Sequence, residues 1–184
     1  MDRMGGFGSA AHLVGRFFGS LWPGGPSRAD EEWARHWLLP GERDLWARMS
    51  GPDRRHAVGV ARGTLELLDP SSGEPGRDVV ASALLHDVGK VEAGLGTIAR
   101  SIVTALAIAV GRPRLVASPT GPKESRWRRR TRLYLTHDRV GAQLLQHAGS
   151  APTTVTWALE HHMDRARWTL EPRIADALKA ADGD

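Results

Sequence analysis

The amino-acid sequence predicts an all-α protein, and two observations support that class. Apolar residues recur three and four positions apart in one segment after another, which is the spacing of a single helix face; Val58, Ala61, Leu65 and Leu68 are one such set. No segment of any length alternates apolar and polar residues as a half-buried β-strand does. We therefore expect a bundle of about seven core helices, preceded by a helical N-terminal extension.

The individual helices are predicted from these apolar segments and from the residues that begin or end them. In chain order they are a segment capped by Asp30 and ending near Leu39, a segment opened by Pro40, a segment opened by Pro52, a segment from Val79 that runs into His86-Asp87 and ends at Gly89, an apolar segment at 98–110, and segments at 124–147, 152–163 and 171–182. A turn at 69–76 and a basic loop at 113–122 separate some of them. The segment 98–110 is interrupted by Arg100 and is too short to cross a bilayer, so we expect it to be a buried helix.

The length of 184 residues suits one domain with an appended segment, which we place at 52–184 and 1–51 respectively. Residues 1–22 are Gly-rich and then apolar, but His12 and Arg16 interrupt them and no clear cleavage site follows. The sequence thus predicts neither a signal peptide nor a transmembrane segment, and a cytoplasmic location is expected. Whether 1–22 docks on its own domain or lies at a membrane surface is left open. The sequence does not predict the oligomeric state.

The chain has no cysteine, which excludes disulfides, thiolate metal sites and cysteine nucleophiles. A metal ion would therefore have to be bound by histidine, aspartate or glutamate. Candidates stand at five places in the chain: His56, His86-Asp87, His137, His161-His162 and Asp182. Taken singly, each is more often a surface or hydrogen-bonded residue than a ligand, and the second doublet His137-Asp138 shows that chance supplies such pairs.

Context separates the first doublet from the second. In the string Ala-Leu-Leu-His-Asp-Val-Gly-Lys at 83–90, the polar pair His86-Asp87 ends an apolar helix, where burial without partners would be costly. This string, with His56 before it and Asp182 after it, resembles the HD-domain phosphohydrolase superfamily over residues 52–184. The resemblance implies an HD-domain-like helical bundle in which His56, His86, Asp87 and Asp182 hold a divalent metal ion.

The resemblance also implies a second metal ion. Members with two ions add histidines between the doublet and the last aspartate, which correspond here to His137 and to one or both of His161 and His162, with Asp87 bridging the ions. The ions expected from imidazole and carboxylate ligands are Mn, Fe, Zn or Mg. The chain lacks the Gly-Tyr-Pro signature of the cyclic-dinucleotide phosphodiesterase branch, and Pro52 stands where trinuclear members have a glutamate, so neither that branch nor a third ion is expected.

The implied activity is metal-dependent hydrolysis of a phosphomonoester or phosphodiester, with a nucleotide or another small phosphoester as substrate. Asp87 and Lys90 are the expected catalytic residues, and Lys90 is also expected to bind a phosphate oxygen. The alternative for Lys90 is a solvated cation at a helix end.

Basic residues are concentrated between Arg112 and Arg132, where eight stand against the single acidic Glu124. The run at 126–132 could contact a nucleotide, a nucleic acid or an anionic lipid, or it could be a solvated helix face. If it borders the site, Arg128 and Arg132 would bind substrate. Two other functions therefore remain open beside the hydrolase: a non-catalytic helical sensor that keeps its metal, and a nucleic-acid-binding module.

Overall fold

The computed structural model describes residues 24–68, 76–117 and 124–183. The α-helices of these ranges are, in chain order, α1 (Arg28–Trp37), α2 (Pro40–Arg48), α3 (Gly51–Leu67), α4 (Arg77–Leu85), α5 (Lys90–Ala93), α6 (Thr97–Val110), α7 (Arg112–Val116), α8 (Arg126–Leu135), α9 (His137–His147), α10 (Pro152–Glu160) and α11 (Pro172–Asp182). A short 3-10 helix, Arg165–Arg167, lies between α10 and α11. The described ranges contain no strand, which confirms the all-α prediction.

Helix α4 is the central element of the bundle. Every residue from Val79 to Leu85 is buried, as expected for a helix that is apolar on all sides. It packs against α3, α10 and α1, while α11 packs against α3 and α9 packs against α10. The polar doublet His86-Asp87 follows this buried helix directly, so the packing of α4 carries both side chains into the interior.

The main hydrophobic core joins the predicted extension to the predicted domain. Two tryptophans, Trp46 on α2 and Trp157 on α10, are its largest fully buried side chains. Ala34 and Leu38 from the first helix segment belong to the same cluster. The described part of the extension, residues 24–51, is thus packed into the core that holds α4. Residues 1–22 lie outside the described ranges.

Ser27, and not Asp30, caps α1. The Ser27 hydroxyl accepts a hydrogen bond from the backbone N–H of Asp30 at 3.1 Å, so Asp30 stands within the first turn. The prediction of Asp30 as the cap was wrong because serine and aspartate are both good N-caps, and they are only three residues apart here.

The predicted segment 124–147 divides into α8 and α9 at Thr136, whose backbone leaves the helical region at φ −117° and ψ 25°. The Thr136 hydroxyl donates to the carbonyl of Arg132 at 2.9 Å, a side-chain bond that competes with regular helix geometry. The predicted basic loop also differs from the structure, because its first residues form the short helix α7 with Pro113 in its first turn.

Helix α6 is not the buried helix that its composition predicts. Val103 is fully buried in a second apolar cluster, which includes Leu135 and joins α5, α6, α7 and α8. On its other face, Ile98 and Ile108 are 71% and 82% exposed. An apolar run of this length reads as buried on all sides, but neighbours among the described residues cover one side only.

Across the described residues, none of the helices is both long enough and apolar enough to span a membrane unaided. One pair, Arg77–Ala93 with Ile98–Val110, meets the length and composition criteria only when joined across a bend of 93°.

Candidate metal centre

The structure brings the seven predicted metal ligands together where the ends of several helices meet. His56 lies in the second turn of α3, His86 and Asp87 follow α4, His137 begins α9, His161 and His162 follow α10, and Asp182 ends α11. They form two sets, in each of which the potential ligand atoms lie within 4.8 Å of one another. We call His56, His86 and Asp182 the first ligand group, and Asp87, His137, His161 and His162 the second ligand group.

In the first ligand group, two imidazoles converge on one carboxylate. Asp182 Oδ1 lies 3.0 Å from His56 Nε2 and 3.7 Å from His86 Nε2. His86 and Asp182 are almost completely buried, whereas the side chain of His56 is 30% exposed. The group is thus closed on the side of α4 and reaches solvent at α3.

In the second ligand group, three imidazoles surround Asp87. Its Oδ1 atom lies 3.1 Å from His137 Nε2 and 3.8 Å from His161 Nε2. His162 Nε2 lies 3.1 Å from His137 Nε2. Because His162 is the exposed member of the group, this side of the centre is open to solvent there.

Asp87 lies between the two groups. Its Oδ1 atom faces His137 and His161, and its Oδ2 atom lies 3.4 Å from His86 Nε2. The rings of His86 and His161 are also adjacent across this boundary, with centroids 5.4 Å apart. A carboxylate with one oxygen turned to each set of imidazoles has the arrangement of a bridging ligand.

Local hydrogen bonds orient three of the imidazoles. The Nδ1 atoms of His86, His137 and His161 donate to backbone carbonyls three residues earlier, at 2.8, 2.7 and 3.0 Å. A proton held on Nδ1 leaves Nε2 as the atom with a free lone pair in the neutral ring, and Nε2 is the atom that each ring turns towards the centre. The helix ends thus select the tautomer that can bind a metal ion.

The Nε2 atom of His161 has no hydrogen-bond partner among the described residues, although the side chain is fully buried. A buried polar atom that lacks a partner costs about 1–3 kcal/mol. The same atom is the one that faces Asp87 Oδ1. A metal ion bound between His161 Nε2 and Asp87 Oδ1 would remove this cost, because it accepts the lone pair of the nitrogen.

The charges around His86 are strongly coupled. Burial would lower the pKa of its imidazole, but the carboxylates of Asp87 and Asp182 outweigh burial and raise the pKa to about 9. Burial would in turn raise the pKa of Asp87, yet Lys90 and His86 hold it well below its usual range. The pKa of Asp182 is also lowered, mainly by its hydrogen bond with His56 against the effect of burial. Both aspartates are therefore ionised at neutral pH.

The pKa values of the adjacent histidines His161 and His162 are lowered, whereas that of His86 is raised. Burial, together with the neighbouring His86, lowers the pKa of His161 to about 3. His162 is exposed at the surface of the centre, but the dense packing around its ring and the neighbouring His161 lower its pKa as well. Both imidazoles are neutral at physiological pH, which is the form that binds metal ions.

Gly89 allows α9 to approach the doublet. A Cβ atom at this position would lie 2.6 Å from the backbone N of Gly141 and even closer to the carbonyl oxygen of His137. Its φ is −62°, so the requirement is space and not an unusual backbone conformation. The prediction that Gly89 ends α4 was wrong, since that helix ends at Leu85. Its role in the structure is to let the first turn of α9 lie against the residues after α4, which brings His137 to Asp87.

Lys90 is paired with Asp87 at the edge of the centre. Its Nζ atom donates to Asp87 Oδ2, and its side chain is 19% exposed. Burial would lower the pKa of Lys90, but Asp87 and Asp53 raise it, so the ammonium stays charged. Asp53 in turn accepts two hydrogen bonds of 2.7 Å from Arg100 on α6. The solvated-cation alternative for Lys90 therefore does not describe its position.

Arg128 and Arg132, the predicted substrate residues of the basic segment, make no polar contact with the two ligand groups among the described residues. Arg132 donates to both carboxylate oxygens of Glu124, at 3.2 and 2.9 Å. Arg128 is exposed in the first turn of α8. Neither side chain has a hydrogen bond or ion pair to a member of the two ligand groups among the described residues. Their role in substrate binding stays a prediction.

Two supporting residues were not predicted from the sequence. The Tyr134 ring stacks on His137 at a centroid distance of 6.0 Å, and the Tyr134 backbone carbonyl accepts a hydrogen bond from His137 Nδ1. Glu160 is buried and accepts hydrogen bonds from the backbone and hydroxyl of Thr169, which fixes the turn that carries His161. A glutamate directly before a histidine pair, in an apolar helix, is the sequence signal that could have revealed the second of these.

The donor set is rich in imidazole, with five histidines and two aspartates in the two groups. Imidazole nitrogen suits Fe and Zn, whereas Mg prefers oxygen ligands almost exclusively. The buried His and Asp clusters can thus hold a metal ion, and their chemistry favours a transition metal.

The chain was also compared with other proteins. It matches no protein-family model, no curated protein and no solved structure.

Proposed function

We propose that the protein is a metal-dependent phosphohydrolase of the HD-domain type, which binds two divalent metal ions and hydrolyses a nucleotide or another small phosphoester. The observation that supports this most directly is the position of Asp87 between two sets of inward-turned imidazoles. In the proposal, His56, His86, Asp87 and Asp182 hold the first ion. Asp87, His137 and His161 hold the second, with His162 as a further ligand at the open side.

When bound, such ions lower the pKa of a water molecule and offset the negative charge of a phosphoryl group under attack. The chain itself supplies position and charge. Lys90 would hold the Asp87 carboxylate in place through its hydrogen bond to Oδ2. The remaining N–H groups of the Lys90 ammonium would donate to a phosphate oxygen. Because His162 is the exposed ligand, we expect substrate to enter on its side.

Seven ligand candidates exceed what one structural ion needs, since such sites are usually four-coordinate. A structural site would also be closed, whereas His162 and part of His56 reach solvent. These two features favour catalysis over the sensor that keeps its metal without turnover.

The test combines metal analysis with an activity screen on the same protein samples. Wild-type protein should bind close to two equivalents of Mn, Fe or Zn and hydrolyse members of a phosphoester panel that includes nucleotides. His86→Ala/Asp87→Ala should lose both properties. The matched control is His147→Ala/Asp44→Ala, which removes an exposed histidine and an exposed aspartate and should keep both.

The outcomes separate the alternatives. Unchanged metal affinity in His86→Ala/Asp87→Ala would show that the centre is wrongly assigned. If the variant loses metal binding but the wild-type protein hydrolyses no phosphoester, the centre would be that of a metal-binding sensor and not of a hydrolase. Oligonucleotide binding of a metal-free wild type, lost on raising the salt concentration, would favour the nucleic-acid module.

A further inference from the structure

Helix α6 exposes a continuous apolar face that nothing among the described residues covers. Ile98, Ile102 and Leu106 recur four residues apart on this face and are 71%, 50% and 43% exposed. Ile108 and Val110 are exposed as well, in the last turn of the helix. Soluble domains rarely expose so many large apolar side chains on one element, and such patches are commonly interaction sites.

Helices α6, α7 and α8 carry positive charge only, whereas α5, the fourth helix of the second apolar cluster, contains Glu92, which is paired with Arg48. Helices α6, α7 and α8, which share the second apolar cluster and which we call the basic layer, contain eight arginines and neither aspartate nor glutamate. Arg100, Arg112 and Arg132 are paired with acidic residues of other segments. The exposed arginines that remain without an ion pair among the described residues are Arg114, Arg126, Arg128 and Arg129.

An exposed tryptophan stands within the basic layer. Trp127, in the first turn of α8, is 47% exposed between arginines on both sides in sequence. Tryptophan favours the boundary between water and hydrocarbon, because its ring is apolar and its N–H is polar. Exposed isoleucines, arginines and a tryptophan on neighbouring helices are the composition of an element that lies on a bilayer surface.

We propose that the basic layer docks on an anionic lipid bilayer, with the apolar face of α6 inserted at the boundary of headgroups and acyl chains. The proposal concerns the exposed residues of these helices, and not Tyr134 of α8, which stacks on His137; it does not depend on the phosphohydrolase activity. Docking would use both the apolar and the basic side chains: the isoleucines enter the apolar boundary of the bilayer, and the arginines contact lipid phosphates.

Charge argues against the other occupants. A second copy of the chain, packed through the same face by a two-fold axis, would bring two arginine-rich surfaces together. Residues 1–23 contain Asp2 but also Arg3 and Arg16, and so offer the face no net negative charge. A nucleic acid would satisfy the arginines and leave Ile98, Ile102 and Ile108 in water.

The experiment is co-sedimentation of the full chain with vesicles of phosphatidylcholine alone and of phosphatidylcholine mixed with phosphatidylglycerol. We expect binding to the anionic vesicles, weakened by salt, and much less to the neutral ones. Ile102→Asp/Ile108→Asp should lower the partition coefficient at least about tenfold. Arg126→Gln/Arg128→Gln/Arg129→Gln should lower it by a similar factor and reduce its dependence on salt.

Two controls match these variants on other parts of the surface. Leu67→Asp places a charge on an apolar residue that is 56% exposed at the end of α3. Arg35→Gln/Arg167→Gln/Arg173→Gln removes the same number of exposed arginines from other elements. Both should bind anionic vesicles within about twofold of wild type, since neither touches the basic layer.

Several results would overturn the proposal. One is equal binding of the isoleucine variant and wild type to anionic vesicles. Another is a dimeric wild type whose isoleucine variant is monomeric, because a second copy of the chain would then already cover the face. A third is arginine-dependent binding to a DNA duplex by a chain that binds no vesicles, which would assign the basic layer to nucleic acid.

Discussion

The metal centre and the basic layer depart from ordinary packing in opposite directions. Around Asp87 and His161, polar atoms are buried with too few protein partners. On α6, the side chains of Ile98 and Ile108 are apolar and lie in water. Each departure costs free energy in the isolated chain, and each would be relieved by a partner of matching chemistry, an ion in one case and an apolar boundary in the other. Both proposals therefore rest on unsatisfied groups, polar inside the molecule in one case and apolar on its surface in the other.

Gly89→Ala gives the largest expected effect, because it separates the parts of the metal centre. The added Cβ would overlap backbone atoms of α9, which cannot move as a side chain tip can. We expect a loss of about 3 kcal/mol in the free energy of unfolding, measured with urea, together with loss of metal binding. Gly59→Ala is the control, since a Cβ there meets nothing within 4 Å; as a helix-interior change it should stabilise by up to about 1 kcal/mol. Equal effects of the two substitutions would refute the close approach of α9.

Substitutions on the two faces of α6 test the comparison directly. Val103→Ala removes two methyl groups from a fully buried side chain and should cost about 2 kcal/mol of unfolding free energy. Ile108→Ala shortens a side chain that is 82% exposed and should change stability by less than about 0.5 kcal/mol. Urea unfolding of both variants in the same buffer measures the difference. If Ile108→Ala costs as much as Val103→Ala, protein covers the outer face.

His161→Leu tests whether the centre is unsatisfied without its ion. Leucine fills a similar volume and removes the buried Nε2 atom that lacks a hydrogen-bond partner among the described residues. We expect metal-free protein to gain about 1 kcal/mol of unfolding free energy while metal affinity falls. His147→Leu, at an exposed position of α9, should show neither change. Destabilisation of metal-free His161→Leu by more than the roughly 1 kcal/mol expected from loss of the Nδ1 hydrogen bond would mean that Nε2 is already satisfied within the fold.

The helical class was predictable because helix periodicity is a local signal. Val58 and Ala61 reveal the inner face of α3 by their spacing alone, and the structure confirms that both are buried. The outer face of α6 was not predictable in the same way. An apolar helix reads as buried unless one knows that the neighbouring helices cover only the side of Val103.

The metal centre was predictable as a set of residues and not as an arrangement. His86 and Asp182 stand out by order in the chain, but their distance depends on how α4 and α11 pack. The division of the ligands into two groups, with Asp87 between them, likewise needs tertiary structure. The importance of Gly89 was hidden for the same reason: the atoms that a Cβ would strike belong to residues about fifty positions later in the chain.

The contact between His56 and Asp182 joins residues that are 126 positions apart. An ion held by these two side chains would close a loop that contains most of the described chain, in a protein without a cysteine to form a covalent link. Because the unfolded chain does not hold these two side chains together, it cannot bind the ion in this way, and the free energy of binding becomes free energy of folding. The lifetime of the folded protein would then depend on the supply of metal.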